Sequence, residues 1–195
     1  MAHVVAVRLA LTAGLRRGEV LGLSWGDVDF SNAVINIHCA LCDTSGQLKP
    51  PKTATSNRSI TLDSKMMKDL RRWKKQQMGY LLSLGIGQNA ETPVVTTETG
   101  GRMDGHNLAR WWRTFQERYS FEGLRFHDLR HTHATLLVSS GLNIKAVSSR
   151  LGHANVGITL DLYAHAQRED DLKAAAIIGK ITALPTPKMR LVESL

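Results

Sequence analysis

The spacing of apolar residues divides this chain of 195 residues into one short part with strand spacing and several segments with helical spacing. Residues 33–41 alternate between apolar and polar side chains and are rich in β-branched residues, and residues 58–62 form a second stretch of this kind. A turn signal at residues 43–46 lies between the two stretches. The pattern predicts a small antiparallel sheet, joined by hairpins, near the N-terminal part of the chain.

The other segments place apolar residues three and four positions apart, which is the spacing of an amphipathic helix. Asp104 and Asn143 are typical N-caps, and Gly14 and Gly152 are typical C-terminal stops. The predicted helices cover residues 2–13, 17–23, 64–84, 104–115, 127–139, 144–151, 157–165 and 168–178. The expected fold class is α+β, mainly α-helical, with the small antiparallel sheet as its β part.

The net charge of +8 favours a polyanionic partner, with nucleic acid as the first candidate. The sequence has no run of about 18 apolar residues and no secretory signal, so we expect a cytoplasmic protein with no membrane contact. Cys39 and Cys42 form a C-x-x-C pair without a second pair of metal ligands nearby. We interpret them as two free, partly buried thiols.

Four local patterns carry the side chains that suit chemistry, and their order matters more than any one of them. They are the segments 12–19, 52–58, 127–130 and 151–163. Together they contain a set of candidate catalytic residues: Arg16, Lys52, His127, Arg130, His153 and Tyr163. A tyrosine can break a phosphodiester and remain attached to the phosphate, and always-charged planar guanidiniums suit the negative charge that gathers on the phosphate oxygens.

In this order the candidate residues resemble the catalytic set of the tyrosine recombinases of the phage-integrase type. Those enzymes have an arginine with a glutamate three residues on, a lysine in a β-hairpin, H-x-x-R on a helix, L-G-H, and a tyrosine about ten residues later. The resemblance covers most of the chain, from about Ala6 to about Ala174. It implies a tyrosine-recombinase catalytic domain over residues 1–180 and a C-terminal tail over residues 181–195. The N-terminal DNA-clamping domain of the family would be absent, with the chain beginning after the first helix of the catalytic domain.

The resemblance implies a site-specific DNA recombinase, an integrase, that cuts and rejoins strands through a covalent 3′-phosphotyrosine. Tyr163 would be the nucleophile, and Arg16 and Arg130 would bind the oxygens of the scissile phosphate. Lys52 would protonate the leaving 5′-oxygen, with Lys49 and Arg58 as competing candidates for that role. No cofactor, metal ion or ATP is expected.

The two histidines have separate expected roles. His127, one helical turn before Arg130, would exchange a proton with the Tyr163 hydroxyl, and His153 would donate a hydrogen bond to a phosphate oxygen. Glu19 is expected to support the helix dipole or cap rather than to react. The expected partners are double-stranded DNA and other recombinase subunits, in a tetramer on two DNA sites. Whether the segment after Tyr163 docks on its own domain or on a neighbour stays open.

Three alternatives accompany this interpretation. A type IB topoisomerase-like enzyme would use the same residues to nick and reseal one strand. A non-catalytic DNA-binding module would use residues 144–163 as a helix-turn-helix. His127, His131 and His133 could be metal ligands, because His127 and His131 are four residues apart, and His153 or His165 could supply a further ligand placed by folding. We expect Trp111, Trp112 and Phe115 to belong to the core.

Overall fold

A computed structural model of the protein describes residues 1–50, 57–153 and 155–161. In these ranges the chain is mainly α-helical, with short strands confined to residues 28–61, as the sequence predicts. The helices are α1 (Ala2–Ala13), α2 (Arg17–Gly22), α3 (Ser64–Ser83), α4 (Gly105–Tyr119), α5 (Asp128–Ser139), α6 (Ile144–Leu151) and α7 (Gly157–Asp161). The strands are β1 (Val28–Asp29), β2 (Val34–Ile37), β3 (Ala40–Leu41), β4 (Leu48–Lys49) and β5 (Arg58–Thr61).

The strands form two antiparallel sheets rather than the one that the sequence predicts. The larger sheet has the order β1-β2-β5, and β3 pairs with β4 in a separate hairpin. The predicted strand over residues 33–41 is therefore wrong as a single element, because the chain leaves the larger sheet after Ile37. Its continuation packs against the backbone of α2, where a Cβ on Gly18 would lie 2.7 Å from the carbonyl oxygen of Leu41. This close approach accounts for the break.

Most helix boundaries follow the capping residues of the sequence. The side chains of Asp104 and Asn143 accept hydrogen bonds from backbone N–H groups of the first turns of α4 and α6. Gly14 and Gly152 adopt the left-handed conformation that ends α1 and α6. Several boundaries differ from the prediction by one to four residues. Helix α2 ends at Gly22, α3 ends at Ser83 and α4 extends to Tyr119. Helix α5 begins at Asp128, and His127 is its N-cap rather than its first residue.

The hydrophobic core joins α1, α2 and the larger sheet to α3 and α4. Trp112 is buried, and Trp111 and Phe115 are partly buried and pack on the core, which confirms the core interpretation of these aromatic residues. Cys39 and Cys42 are free thiols of intermediate exposure, also as predicted. Within the described ranges, no helix has the length and hydropathy that crossing a lipid bilayer requires.

Candidate active site

The tight turn between α1 and α2 places Arg16 and Glu19 together. Arg16 is the N-cap of α2, and its backbone N–H donates to Glu19 Oε2 at 2.8 Å. The Arg16 guanidinium donates through Nη1 to Glu19 Oε1 at 2.9 Å and through Nη2 to the carbonyl oxygen of Gly152 at 3.1 Å. The first turn of α2 therefore fixes the orientation of Arg16 through a carboxylate that is itself buried.

Arg130, on the first turn of α5, has a relative exposure of only 2%. Its Nη1 donates to the carbonyl oxygen of Gly14 at 2.6 Å, and its Nη2 donates to that of Leu151 at 2.7 Å. The same Nη1 lies 3.9 Å from Glu19 Oε2. Burial, and then the nearby charge of Arg16, lower the Arg130 pKa to about 9, which still leaves the guanidinium charged at neutral pH.

Arg58, at the start of β5, is a third guanidinium on the same carboxylate. It donates through Nη1 to Glu19 Oε1 at 3.0 Å and through Nη2 to Glu19 Oε2 at 2.9 Å. Its Nε donates to the carbonyl oxygen of Arg150 at 2.8 Å. The sequence suggested Arg58 only as a competitor for the role of Lys52, and nothing in the sequence pairs it with a residue 39 positions away.

The C-terminal end of α6 receives all three guanidiniums on consecutive carbonyl oxygens. Arg58 binds the carbonyl of Arg150, Arg130 binds that of Leu151, and Arg16 binds that of Gly152. The last carbonyls of a helix have no partner within the helix and carry the negative end of its dipole. The backbone of the Leu151-Gly-His153 motif therefore holds Arg130 and Arg16, in addition to supplying a histidine.

The cluster carries more positive charge than its carboxylate can neutralise. Burial alone would raise the pKa of Glu19, but hydrogen bonds and charges from Arg58 and Arg16 outweigh it, and this pKa lies below its ordinary value. Glu19 is thus ionised at neutral pH and faces three guanidiniums. The remaining charge is about two positive units in a partly desolvated place, which suits a phosphate diester.

Two of the candidate histidines are neutral in this environment. Burial, the ring of His131 and then the charges of Arg130 and Arg16 lower the pKa of His127. Burial and the same arginines lower the pKa of His153 to about 4. His153 Nδ1 lies 2.9 Å from the hydroxyl oxygen of Thr159, a buried residue of α7. This contact fixes the orientation of the His153 ring. A neutral imidazole offers one donor and one acceptor, so both rings are able to take part in proton transfer or hydrogen bonding.

His133, which the sequence suggested only as a possible metal ligand, lies on α5 with Arg130 and contacts Arg150 on α6. Its Nδ1 lies 2.9 Å from the carbonyl oxygen of Leu11, and its Nε2 lies 3.3 Å from Nε of Arg150. A carbonyl only accepts, so Nδ1 carries the proton and Nε2 accepts from Arg150. Burial lowers the pKa of His133 to about 4, which agrees with a neutral ring. Its spacing of three residues from Arg130 was the available sequence signal, because such residues share a helix face.

Comparisons with known proteins show the family of this chain. The model of the phage integrase family matches residues 1–170. The chain belongs to the phage integrase family. It is 33% identical over 171 residues to the "tyrosine recombinase XerC-like" protein of Caldanaerobacter subterraneus subsp. tengcongensis. The match covers 80% of this chain and 44% of that protein.

A second relative of the chain is the ICEBs1 integrase of Bacillus subtilis. It is 34% identical over 160 residues, covering 80% of this chain and 43% of that protein. Among solved structures, the Tn1549 transposon integrase in complex with circular intermediate DNA matches with a TM-score of 0.76 and 25% identity, covering 90% of this chain and 58% of that one. The tyrosine-recombinase catalytic fold is thereby confirmed. The chain spans less than half the length of the two curated relatives.

In this integrase-family fold, four of the six predicted site residues fall in the described ranges. Arg16 and Arg130 meet at Glu19 and the end of α6, and the pKa values of His127 and His153 both respond to the charges of these two arginines. Lys52 and Tyr163 lie outside the described residues. Where the structure describes the chain, no three His, Cys, Asp or Glu side chains are grouped as a metal site would need.

Proposed function

We propose that this chain is the catalytic domain, residues 1–180, of a site-specific DNA recombinase that acts through a covalent 3′-phosphotyrosine on Tyr163. The observation that carries the proposal is the cluster of Arg16 and Arg130, held with an excess of positive charge around Glu19. The names of its relatives, tyrosine recombinase and integrase, support the same activity. A topoisomerase and a non-catalytic DNA-binding module gain no support from these comparisons.

The reaction is a pair of transesterifications. The Tyr163 hydroxyl oxygen attacks the scissile phosphorus, the bond from phosphorus to the 5′-oxygen breaks, and the bond energy is kept in the phosphotyrosine. A 5′-hydroxyl from the same or another strand then attacks that phosphorus and releases the tyrosine. No external energy source is consumed, because each step exchanges one phosphodiester for another.

The arginines act on the charge that develops in the transition state. Arg16 and Arg130 bind the non-bridging oxygens, and both are already oriented by backbone carbonyls and by Glu19 before DNA binds. Such preorganised donors are each worth roughly 2.7–4 kcal/mol in comparable transition states. His153, a neutral ring fixed by Thr159, donates a further hydrogen bond to a phosphate oxygen.

Protons move at the two ends of the broken bond. His127, whose lowered pKa keeps it neutral, takes part in transfer of the Tyr163 proton. Lys52 supplies the proton that the leaving 5′-oxygen needs. The expected partners are double-stranded DNA, which the net charge of +8 favours, and further recombinase subunits in a tetramer on two sites in the cytoplasm.

The test is covalent trapping on a nicked suicide DNA duplex that carries the recombination site, with the adduct separated on a denaturing gel. We expect an adduct with the native chain and its complete loss in Tyr163→Phe. Tyr119→Phe is the matched control, because Tyr119 is an exposed tyrosine at the end of α4, and it should leave the adduct unchanged. A full yield of adduct in Tyr163→Phe would exclude this tyrosine as the nucleophile.

A further inference from the structure

The Arg58–Glu19 pair is among the most deeply buried ion pairs that the structure describes. The side chains of Arg58 and Glu19 are 7% and 5% exposed, and the guanidinium meets both carboxylate oxygens at 3.0 and 2.9 Å. A bidentate guanidinium–carboxylate pair of this kind is geometrically demanding and is not reproduced by a lysine. A guanidinium bound in this way does not act as a general acid, so Arg58 is not a substitute for Lys52.

Each oxygen of Glu19 accepts two hydrogen bonds. Oε1 accepts from the side chains of Arg16 and Arg58, and Oε2 accepts from the backbone N–H of Arg16 and from Arg58. Arg58 therefore occupies one acceptor direction on each oxygen. Arg130 Nη1 stands 3.9 Å from Oε2, close enough to approach if that direction became vacant.

We infer that Arg58 is a positioning residue for strand cleavage. Its guanidinium occupies the acceptor directions of the Glu19 carboxylate that Arg16 leaves open, so that Arg16 and Arg130 direct their positive charge to the scissile phosphate. The inference rests on the proposed function. Without Arg58, the buried carboxylate would draw Arg16 and Arg130 towards itself, because an ionised group in a desolvated place is strongly destabilised until it is paired. The cluster would also lose one positive charge. Both changes weaken the stabilisation of the phosphate transition state while Arg16 and Arg130 are still present.

The backbone around Arg58 fixes it from a second direction. Its Nε holds the carbonyl of Arg150 at 2.8 Å, and the Arg150 side chain donates to the carbonyl of Thr61 at 3.1 Å and to His133 at 3.3 Å. These contacts link strand β5 to the C-terminal end of α6. The carbonyls that accept from Arg16 and Arg130 lie at the same end of α6. Arg58 thus acts on the two catalytic arginines through Glu19 and through the end of α6.

The test compares two DNA substrates in single-turnover adduct formation. One has an ordinary scissile phosphate, and the other has a methylphosphonate there, in which a methyl group replaces a charged non-bridging oxygen. For Arg58→Met we expect a loss of about 100-fold on the ordinary phosphate, a factor typical of small misplacement of catalytic groups. On the methylphosphonate, the loss should shrink to about tenfold or less, since less negative charge develops there.

Arg102→Met is the matched control. Arg102 is a partly buried arginine that donates to the carbonyls of Leu21 and Gly22 and to Ser24 Oγ, and it makes no contact with Glu19 among the described residues. Its substitution should lower the rate on both substrates by the same factor, as any loss of folded protein does. An equal loss on both substrates for Arg58→Met would overturn the inference and leave Arg58 with a purely structural role.

Two further variants keep the test decisive. If Arg58→Met does not fold, Arg58→Lys keeps the charge but not the bidentate geometry, and the same difference between substrates is expected at smaller size. The double variant Arg58→Met/Glu19→Gln removes the unpaired carboxylate and should recover part of the rate on the ordinary phosphate. No recovery would count against the inference that Arg58 occupies the acceptor directions of Glu19.

Failure of the proposed function gives a different result, namely no adduct with either substrate in the native chain. In that case inorganic phosphate is the probe: it should raise the unfolding temperature of the native chain more than that of Arg58→Lys, and equal shifts would overturn the inference.

Discussion

Arg130 donates a hydrogen bond to the carbonyl oxygen of Gly14 at 2.6 Å, which joins α5 to the turn between α1 and α2. Gly14 has a φ of +67°, and a Cβ on it would lie 2.7 Å from Cδ2 of His133 and 2.7 Å from Cδ2 of Leu151. The turn that carries Arg16 is therefore in direct contact with the helix that carries Arg130. A glycine is required there both by the backbone conformation and by the space.

Gly14→Ala should lower the free energy of unfolding by about 2–4 kcal/mol, since a left-handed alanine and an overpacked contact each cost about 1–2 kcal/mol or more. Urea unfolding measures the change. Gly46→Ala is the matched control, because Gly46 has a φ of +64° and nothing lies within 4 Å of its added Cβ. It should show the backbone cost alone, and equal losses in the two variants would argue against the contact with α5.

Arg130→Lys should reduce the rate of adduct formation by about 10²–10³-fold, the cost of losing a preorganised donor in a transition state. A single ammonium cannot reproduce the fork that holds the carbonyls of Gly14 and Leu151. Gel quantification of the covalent adduct over time gives the rate. Arg113→Lys, at an exposed position on α4, should leave the rate within twofold, roughly the scatter of surface substitutions. An Arg130→Lys variant with native rate would contradict the proposed role.

The stability of the fold should fall as the pH drops from about 6.5 towards 4. The pKa of His133 is lowered from 6.5 to about 4 in the folded chain, so the unfolded chain takes up a proton first as the pH falls. The stabilisation is complete above the unfolded pKa and is lost in this window, by up to about 3 kcal/mol for a buried ring. His153, also lowered to about 4, adds to the effect in the same direction.

Denaturant unfolding at pH 7, 6 and 5 checks this expectation. His133→Gln should be less stable at neutral pH and should show a shallower loss on acidification, because it removes one of the titrating groups. His106→Gln, on the exposed face of α4, should retain the native pH dependence. If the profile of His133→Gln parallels that of the native chain, His133 is not the group that resists protonation.

Gln77→Leu should destabilise the fold by about 2–4 kcal/mol, because several buried polar groups would lose their partner. Gln77 is fully buried on α3, accepts from Trp25 Nε1 at 2.5 Å, and donates to the carbonyl of Pro93 at 3.0 Å and to Thr96 Oγ1 at 3.1 Å. Gln76→Leu, at the exposed neighbouring position, is the control and should change stability by less than about 0.5 kcal/mol. Adduct formation per folded molecule should be unchanged in both variants, and a specific loss of rate in Gln77→Leu would connect this cluster to the site.

The sequence predicts the candidate site as a set of residues but not as an arrangement. The order of Arg16, the H-x-x-R pair and Leu-Gly-His identified the arginines and histidines, since each motif is local. The use of Arg58 was not predictable, because its partner Glu19 is 39 residues away and lies on a different element. The sequence suggested His133 only as a metal ligand, because the contact that fixes its ring is with Leu11, 122 residues away.

The sequence by itself determined the helices between residues 2 and 151 to within a few residues, most of their caps and the α+β class, because apolar spacing and capping residues act within a few positions. The helix predicted over residues 168–178 lies outside the described residues. Tertiary structure alone decided that the strand predicted over residues 33–41 splits after Ile37, since the backbone of α2 at Gly18 lies close enough to capture the next segment. It also decided that three consecutive carbonyls at the end of α6 receive Arg58, Arg130 and Arg16. These contacts join distant parts of the chain, and their geometry exists only once the core has brought those parts together.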